Sequence, residues 1–170
     1  MALNTYITEI VGQKTGAIKG NCTQTKREGW IEVIGFSHGI KSPRDAASGL
    51  ASGKRVHGPV TGLVQLDKAF PPILNMLAQN EVITKIHFKF FAATQLGQRA
   101  IGAGNEYNVY DILLENAHVC EFQTRMLNNK NPELMRYETY AEISFTYQKI
   151  TWTWNDGGIT AMDDWEAPVV

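Results

Sequence analysis

The chain has 170 residues, of which 44% are hydrophobic and 19% charged, enough apolar content for one core and too much for a disordered chain. A formal net charge of −1 removes the electrostatic case for a nucleic-acid or membrane-surface partner. Two cysteines, Cys22 and Cys120, cannot build a disulfide framework, so each is expected as a free, buried thiol in a reducing compartment.

The N-terminal stretch MALNTYITEIVGQKTG lacks the basic start, apolar run and cleavage site of a secretory signal. No stretch approaches the ~18 apolar residues of a membrane span. The chain is therefore expected to be made in the cytoplasm, with no membrane insertion, and any secretion would proceed without a cleaved signal peptide.

Most segments alternate with period two, the mark of strands. Residues 3–12 place Leu3, Thr5, Ile7 and Val11 on one side. Residues 29–40 are apolar on both sides, with Ile31 and Val33 facing one way and Trp30, Ile34, Phe36 and Ile40 the other. A strand apolar on both faces is covered twice. A run of small residues, 42–53, follows with no apolar periodicity. Residues 59–67 set Val60, Val64 and Leu66 together.

One segment reads as a helix, 69–80. Pro71 and Pro72 suit a first turn, Ile73, Leu74, Leu77 and Ala78 form one apolar stripe, and Asn80 suits a left-handed stop. Residues 83–94 alternate cleanly, with Ile86, Phe88 and Phe90 opposite a wet basic face of Lys85, His87 and Lys89. In 106–122, Tyr110, Ile112 and Leu114 oppose Tyr107, Val109, Asp111 and Leu113. In 140–154, Ala141, Ile143, Phe145 and Tyr147 are in phase, then Ile150, Trp152 and Trp154. That phase switch predicts a β-bulge or sharp bend near Gln148–Lys149. Six strands and one short helix predict a mainly β fold, a small β-barrel or closed sandwich with the helix packed on its side.

Catalytic and metal signatures are missing. His38, His57, His87 and His118 have no ligand spacing to another His, Cys or carboxylate. The run GLASGKR fails as a phosphate loop, because its glycines stand too close and Arg55 occupies the Ser/Thr position. Ser37 and His38 are adjacent in a strand, so they face apart and cannot form a nucleophile–base pair. Asp163, Asp164 and Glu166 beside Trp165 read as a solvated acidic patch, and Trp152 and Trp154 as core or interface. The Lys85–His87–Lys89 face is short and lacks interleaved aromatics, which argues against nucleic acid. No enzyme activity, cofactor or metal is expected.

Read in order, REGWIEVIGFSHGIKSP, GKRVHGPVTGLVQLDKAFPPILNML, ITKIHFKFF, YNVYDILLENAHV, ISFTYQKITWTW and NDGGITAMDDW resemble the haemolysin co-regulated protein (Hcp) family, the tube proteins of bacterial type VI secretion systems. The resemblance runs over about residues 3 to 165. It departs at Phe70 and the doubled proline, where a Ser or Thr usually precedes Pro, and at residues 122–138, where a longer loop or hairpin is expected. The resemblance implies one barrel domain over residues 1–170, made of two sheets with one helix. It implies a homo-hexameric ring with an open channel, stacking on copies of itself inside a contractile sheath, with spike and baseplate proteins as further partners and effector proteins in the lumen. By the same resemblance Ser37 faces the lumen. Residues 42–55 form an arm toward neighbouring subunits and rings, with Ser42, Arg44, Asp45, Gly49, Gly53, Lys54 and Arg55 as contacts. Trp30 and Phe36 belong to a ring interface. Two other readings stand beside this one: a phage-like tail tube protein and a small-molecule-binding β-barrel.

Overall fold

The computed structural model describes residues 4–92 and 106–166, so Leu3 and residues 93–94 of the predicted strands lie outside the described residues. The alternating segments become β1 (Asn4–Gly12), β2 (Gly16–Ile18), β3 (Ile31–Ser37), β4 (Ile40–Lys41), β5 (Val56–His57), β6 (Val60–Gln65), β7 (Ile83–Ala92), β8 (Tyr107–Arg125), β9 (Tyr140–Trp154) and β10 (Ile159–Asp164). The helix α1 spans Phe70–Ala78. Antiparallel pairing runs β9–β6–β3–β1–β7–β8 and returns from β8 to β9, which closes a barrel. Closure satisfies the backbone groups that an open sheet would leave at its edges. β2 adds to β1, β10 adds to β9, and β4 and β5 form a second, two-stranded sheet.

Inward residues of every barrel strand meet in one core. Ile7, Ile31, Val64, Ile86, Phe88, Ile112, Leu114, Ile143 and Phe145 are all buried. Phe88 lies edge-on to Phe36 and Phe145, with ring centroids 5.4 and 6.2 Å apart. The expected faces of β7 hold: Ile86, Phe88 and Phe90 point inward. The opposite face is less basic than the sequence suggests. Lys85 pairs with Glu9 at 2.7 Å and His87 approaches Asp111 at 3.5 Å, so acidic neighbours on β1 and β8 offset the charge.

Single inserted residues revise several facing assignments. The register shifts between Ile7 and Glu9, between Val33 and Gly35, and opposite Phe90 and Phe91. These leave Thr8, Ile34 and Val109 as extra residues. Each insertion flips the faces beyond it. Ile10 rather than Val11 therefore joins Ile7 in the core, Val109 is buried, and Phe36 turns to the side of Ile31 and Val33 while Ile34 is exposed. No extra residue occurs at Gln148–Lys149, where β9 keeps register with both β8 and β10. The change of face there is shared: burial passes from Tyr147 to Ile150 in β9 and from Ala117 to Leu114 in β8, around a left-handed Asn116 (φ 49°). The true bulge of this pair is at Cys120, between Val119 and Glu121. Cys120 is exposed and Cys22 half-buried; both are free, but neither is the buried thiol expected.

The helix is one residue shorter at its start and two at its end than 69–80, and Asn80 is left-handed (φ 49°), as its position suggested. Its buried stripe is Phe70, Ile73 and Met76; Leu74 is exposed. Phe70 packs edge-on to Phe122 of β8 at 5.1 Å, which rotates the helix toward that strand. No hydroxyl caps the first turn. Asp67 holds the turn that precedes it: its Oδ1 accepts from the Ala69 N–H at 2.7 Å, and its Oδ2 accepts from the Asn21 N–H at 2.8 Å. Losing hydrogen bonds of this kind costs about 1 kcal/mol. Asp67→Ala is expected to lower stability by that amount in urea unfolding, and an unchanged midpoint would show that the tie between the Asn21 loop and the helix entry carries no weight.

Of the segment 122–138 expected as a longer loop or hairpin, residues 122–125 continue β8, and 126–138 carry no strand and are held by turns. Asn128 and Asn131 accept at their side-chain oxygens from the N–H groups of Lys130 and Glu133.

Candidate assembly surface and its anchor

Small residues and two turn-formers give 42–55 a conformation of its own. Asp45 organises the tip: its Oδ1 accepts from the N–H groups of Ala47 and Ser48 and from the Ser48 hydroxyl. Gly49 takes the left-handed conformation (φ 68°) that lets the chain reverse. Ser52 N–H bonds to the Pro43 carbonyl, and Arg44 bridges Ala51. At the base, Ile40 pairs with His57 and Lys41 with Val56. The arm is thus a closed hairpin rather than a bare strap. Ser42, Arg44, Asp45, Gly49, Gly53 and Lys54 are all exposed on it, and Leu50 is 69% exposed at its tip.

Arg55 behaves differently. Its guanidinium bonds the Asp163 carboxylate and, at 2.6 Å, the Asp164 carbonyl. Asp163 also accepts from His57 Nε2 at 2.7 Å. Burial pushes the Asp163 carboxyl up, but the Arg55 and His57 hydrogen bonds outweigh it and hold the group below the usual carboxylate range. His57 Nδ1 lies 2.9 Å from the Tyr147 hydroxyl, and His38 Nε2 lies 2.7 Å from the same oxygen. Burial raises the Tyr147 hydroxyl far above its ordinary value, so it stays protonated. Asp163 is therefore not the solvated surface group expected; it anchors the base of the arm to β9 and β10. Positions 38, 57, 147 and 163 are distant in sequence, and no spacing signal marks them. They meet because the β4–β5 stem lies beside the middle of β9, at Tyr147, and the last residues of β10.

Ser37 ends β3 and is exposed. It pairs with Thr61 on β6, and Thr61 pairs with Ser144 on β9, with the two hydroxyls 2.9 Å apart. A row of hydroxyls therefore crosses three strands, exposed at Ser37, half-buried at Thr61 and buried at Ser144. Trp30 is half-buried against Tyr6 and Phe91 at 5.8 and 5.9 Å. Phe36 packs edge-on to Phe90 at 5.1 Å as well as to Phe88, so much of it serves this chain's core.

Among the described residues no group of His, Cys, Asp and Glu is arranged to hold a metal, and no helix is long and apolar enough to cross a membrane. One cleft, of about 510 Å³, is open and is lined by Tyr147, His118 and Trp165.

A closed antiparallel barrel with one side helix, a projecting hairpin and a hydroxyl-lined outer face defines a small β-barrel whose conspicuous features are surfaces for contact. Residues 8–154 match the family model described as type VI secretion system effector, Hcp, and the chain belongs to that family. It is 34% identical to the "Major exported protein" of Pseudomonas aeruginosa, with 99% of each chain covered. The solved structure "Crystal structure of Hcp protein" matches it with a TM-score of 0.84 at 23% identity, over 98% of this chain and 100% of the other. The "Secreted protein Hcp3 from Pseudomonas aeruginosa" matches with a TM-score of 0.75 at 27% identity, over 98% and 100% of the two chains. Hcp proteins are structural, secreted components of the type VI secretion system.

Proposed function

We propose that this chain is the tube subunit of a type VI secretion system, forming hexameric rings that stack into an expelled inner tube and hold effector proteins in the lumen. The observation that carries the reading is the hairpin of residues 42–55, which projects from the barrel while its base is tied to β9 and β10. A loop without a partner gains nothing from such an anchor, whereas an arm that docks on a neighbour binds better when pre-organised. A ring requires a heterologous interface that closes by rotation, and the exposed tip residue Leu50 supplies apolar surface for it. Contractile sheath, spike and baseplate proteins are the partners of such a tube, and the cytoplasm is where it assembles before export. Negative-stain images of the purified protein test the reading: sixfold rings with open centres are expected, and single barrels alone would contradict it.

The lumen wall is assigned to the outer face bearing exposed Ser37 and half-buried Thr61. Uncharged hydroxyls make weak, exchangeable contacts, which suits cargo that must be released. Ser37→Asp adds a charge to this wall without touching the core. Rings are expected to form as before, while effector co-purified with them falls several-fold. Loss of the rings themselves would place Ser37 in the subunit interface instead.

The small-molecule-barrel reading needs an apolar cavity inside the barrel. Phe36, Phe88 and Phe145 occupy that interior, and the described clefts are open and partly polar. A phage-like tail tube would share the assembly, and the family match favours secretion over it.

A further inference from the structure

The hydrogens of the arm's anchor can run in one direction only while both imidazoles are neutral. Ionised Asp163 can only accept, so His57 Nε2 carries a hydrogen. His57 Nδ1 then accepts from the Tyr147 hydroxyl, and the Tyr147 oxygen accepts from the His38 Nε2–H. Every bond is made. One added proton on His57 Nδ1 is absorbed by turning the Tyr147 hydroxyl toward His38 Nε2, with the His38 hydrogen moved to Nδ1 and the Asp163 carboxylate balancing the charge. A second proton finds no such arrangement. Both imidazoles then donate to one oxygen, the Tyr147 hydrogen loses both of its acceptors, and two like charges share a single bridging atom.

We propose that the His38–Tyr147–His57–Asp163 chain is a pH-sensitive latch that holds the stem of the hairpin against the barrel and releases it when both imidazoles are protonated. His38 and His57 flank and form the β4–β5 stem, whereas Tyr147 and Asp163 belong to β9 and β10. Breaking the chain therefore separates stem from barrel without opening the barrel's own ladders. The groups that face the latch come from every side. Arg55 of the stem and Asp163 of β10 lie at one end, Trp165 covers His57 at 5.5 Å, Trp152 of β9 covers His38 at 6.2 Å, and His118 of β8 lies with Glu166 along the cleft beside Tyr147.

Burial holds His38 below the ordinary imidazole value, and the neighbouring His57 adds to the effect. A released His38 binds its proton at higher pH than a latched one. Latch stability is thus complete above about pH 6.5 and is lost as pH falls below it. Asp163 remains ionised through that window. The inference concerns contacts within one chain and stands whether or not rings form.

Hydrogen exchange of the full-length protein at about pH 7.5 and about pH 5, corrected for the intrinsic rate at each pH, reads the latch directly. The stem amide to follow is the Gly58 N–H, which bonds the Gly39 carbonyl within the stem at 2.8 Å; a stem of two residue pairs freed from the barrel is too short to hold that bond by itself. Its protection is expected to fall several-fold at the lower pH, while β7 stays protected. His38→Gln keeps an N–H donor toward Tyr147 but cannot be protonated, and is expected to retain stem protection at the lower pH. Tyr147→Phe is expected to loosen the stem at both. Equal wild-type protection at the two pH values, a drop in His38→Gln as large as in wild type, or full protection in Tyr147→Phe would each overturn the proposal.

Discussion

Replacing Arg27 by alanine is expected to destabilise the fold by about 3 kcal/mol, the range seen when one partner of a largely buried ion pair is removed. Arg27 is only 7% exposed although it lies in the loop between β2 and β3. Its guanidinium sits 4.7 Å from the Tyr6 ring centroid and 4.2 Å from that of Phe91, and Trp30 completes the aromatic wall. One of its terminal nitrogens bonds Glu106 at 2.5 Å, and Asn4 donates to the other oxygen of that carboxylate. Alanine would leave Glu106 without its cation and open a gap between two rings. Arg27→Lys keeps the charge but not the flat, forked group that stacks and pairs together, so it is expected to recover less than half of the loss. Urea unfolding of the two variants checks this; a loss below about 1 kcal/mol in Arg27→Ala would show the cluster to be a surface ion pair of little weight.

Deleting residues 46–53 is expected to abolish or strongly weaken ring-on-ring stacking while leaving a folded barrel. The deletion removes the Asp45-organised tip and exposed Leu50, but spares the Ile40–Lys41 and Val56–His57 pairs and the anchor through Tyr147 and Asp163. No buried residue is lost. Thermal unfolding should therefore move little, while long tubes in electron micrographs give way to single rings. Tubes of unchanged length would contradict the role of the arm in stacking.

These two expectations differ in how far the sequence announces them. Strand alternation was readable wherever it was unbroken: Ile86, Phe88 and Phe90 face the core as their spacing suggests. It misled at Thr8, Ile34 and Val109, because one inserted residue reverses every face beyond it and leaves no compositional mark. The face change at Tyr147–Ile150 was visible, but its cause was not an inserted residue; the switch is shared with β8 around left-handed Asn116. The arm was legible as a stretch without periodicity, yet its closed hairpin depends on hydrogen bonds to Asp45 that composition does not reveal. Arg27 and the His38–Tyr147–His57–Asp163 chain were illegible for a common reason. Each joins residues far apart in sequence, brought together only by pairing of non-consecutive strands.

The central claim is that this barrel assembles into rings. Light scattering of the purified, full-length protein tests it most directly. The account predicts a solution mass near six times the 19.0 kDa of the chain. A single mass of one chain that persists at high concentration would contradict it.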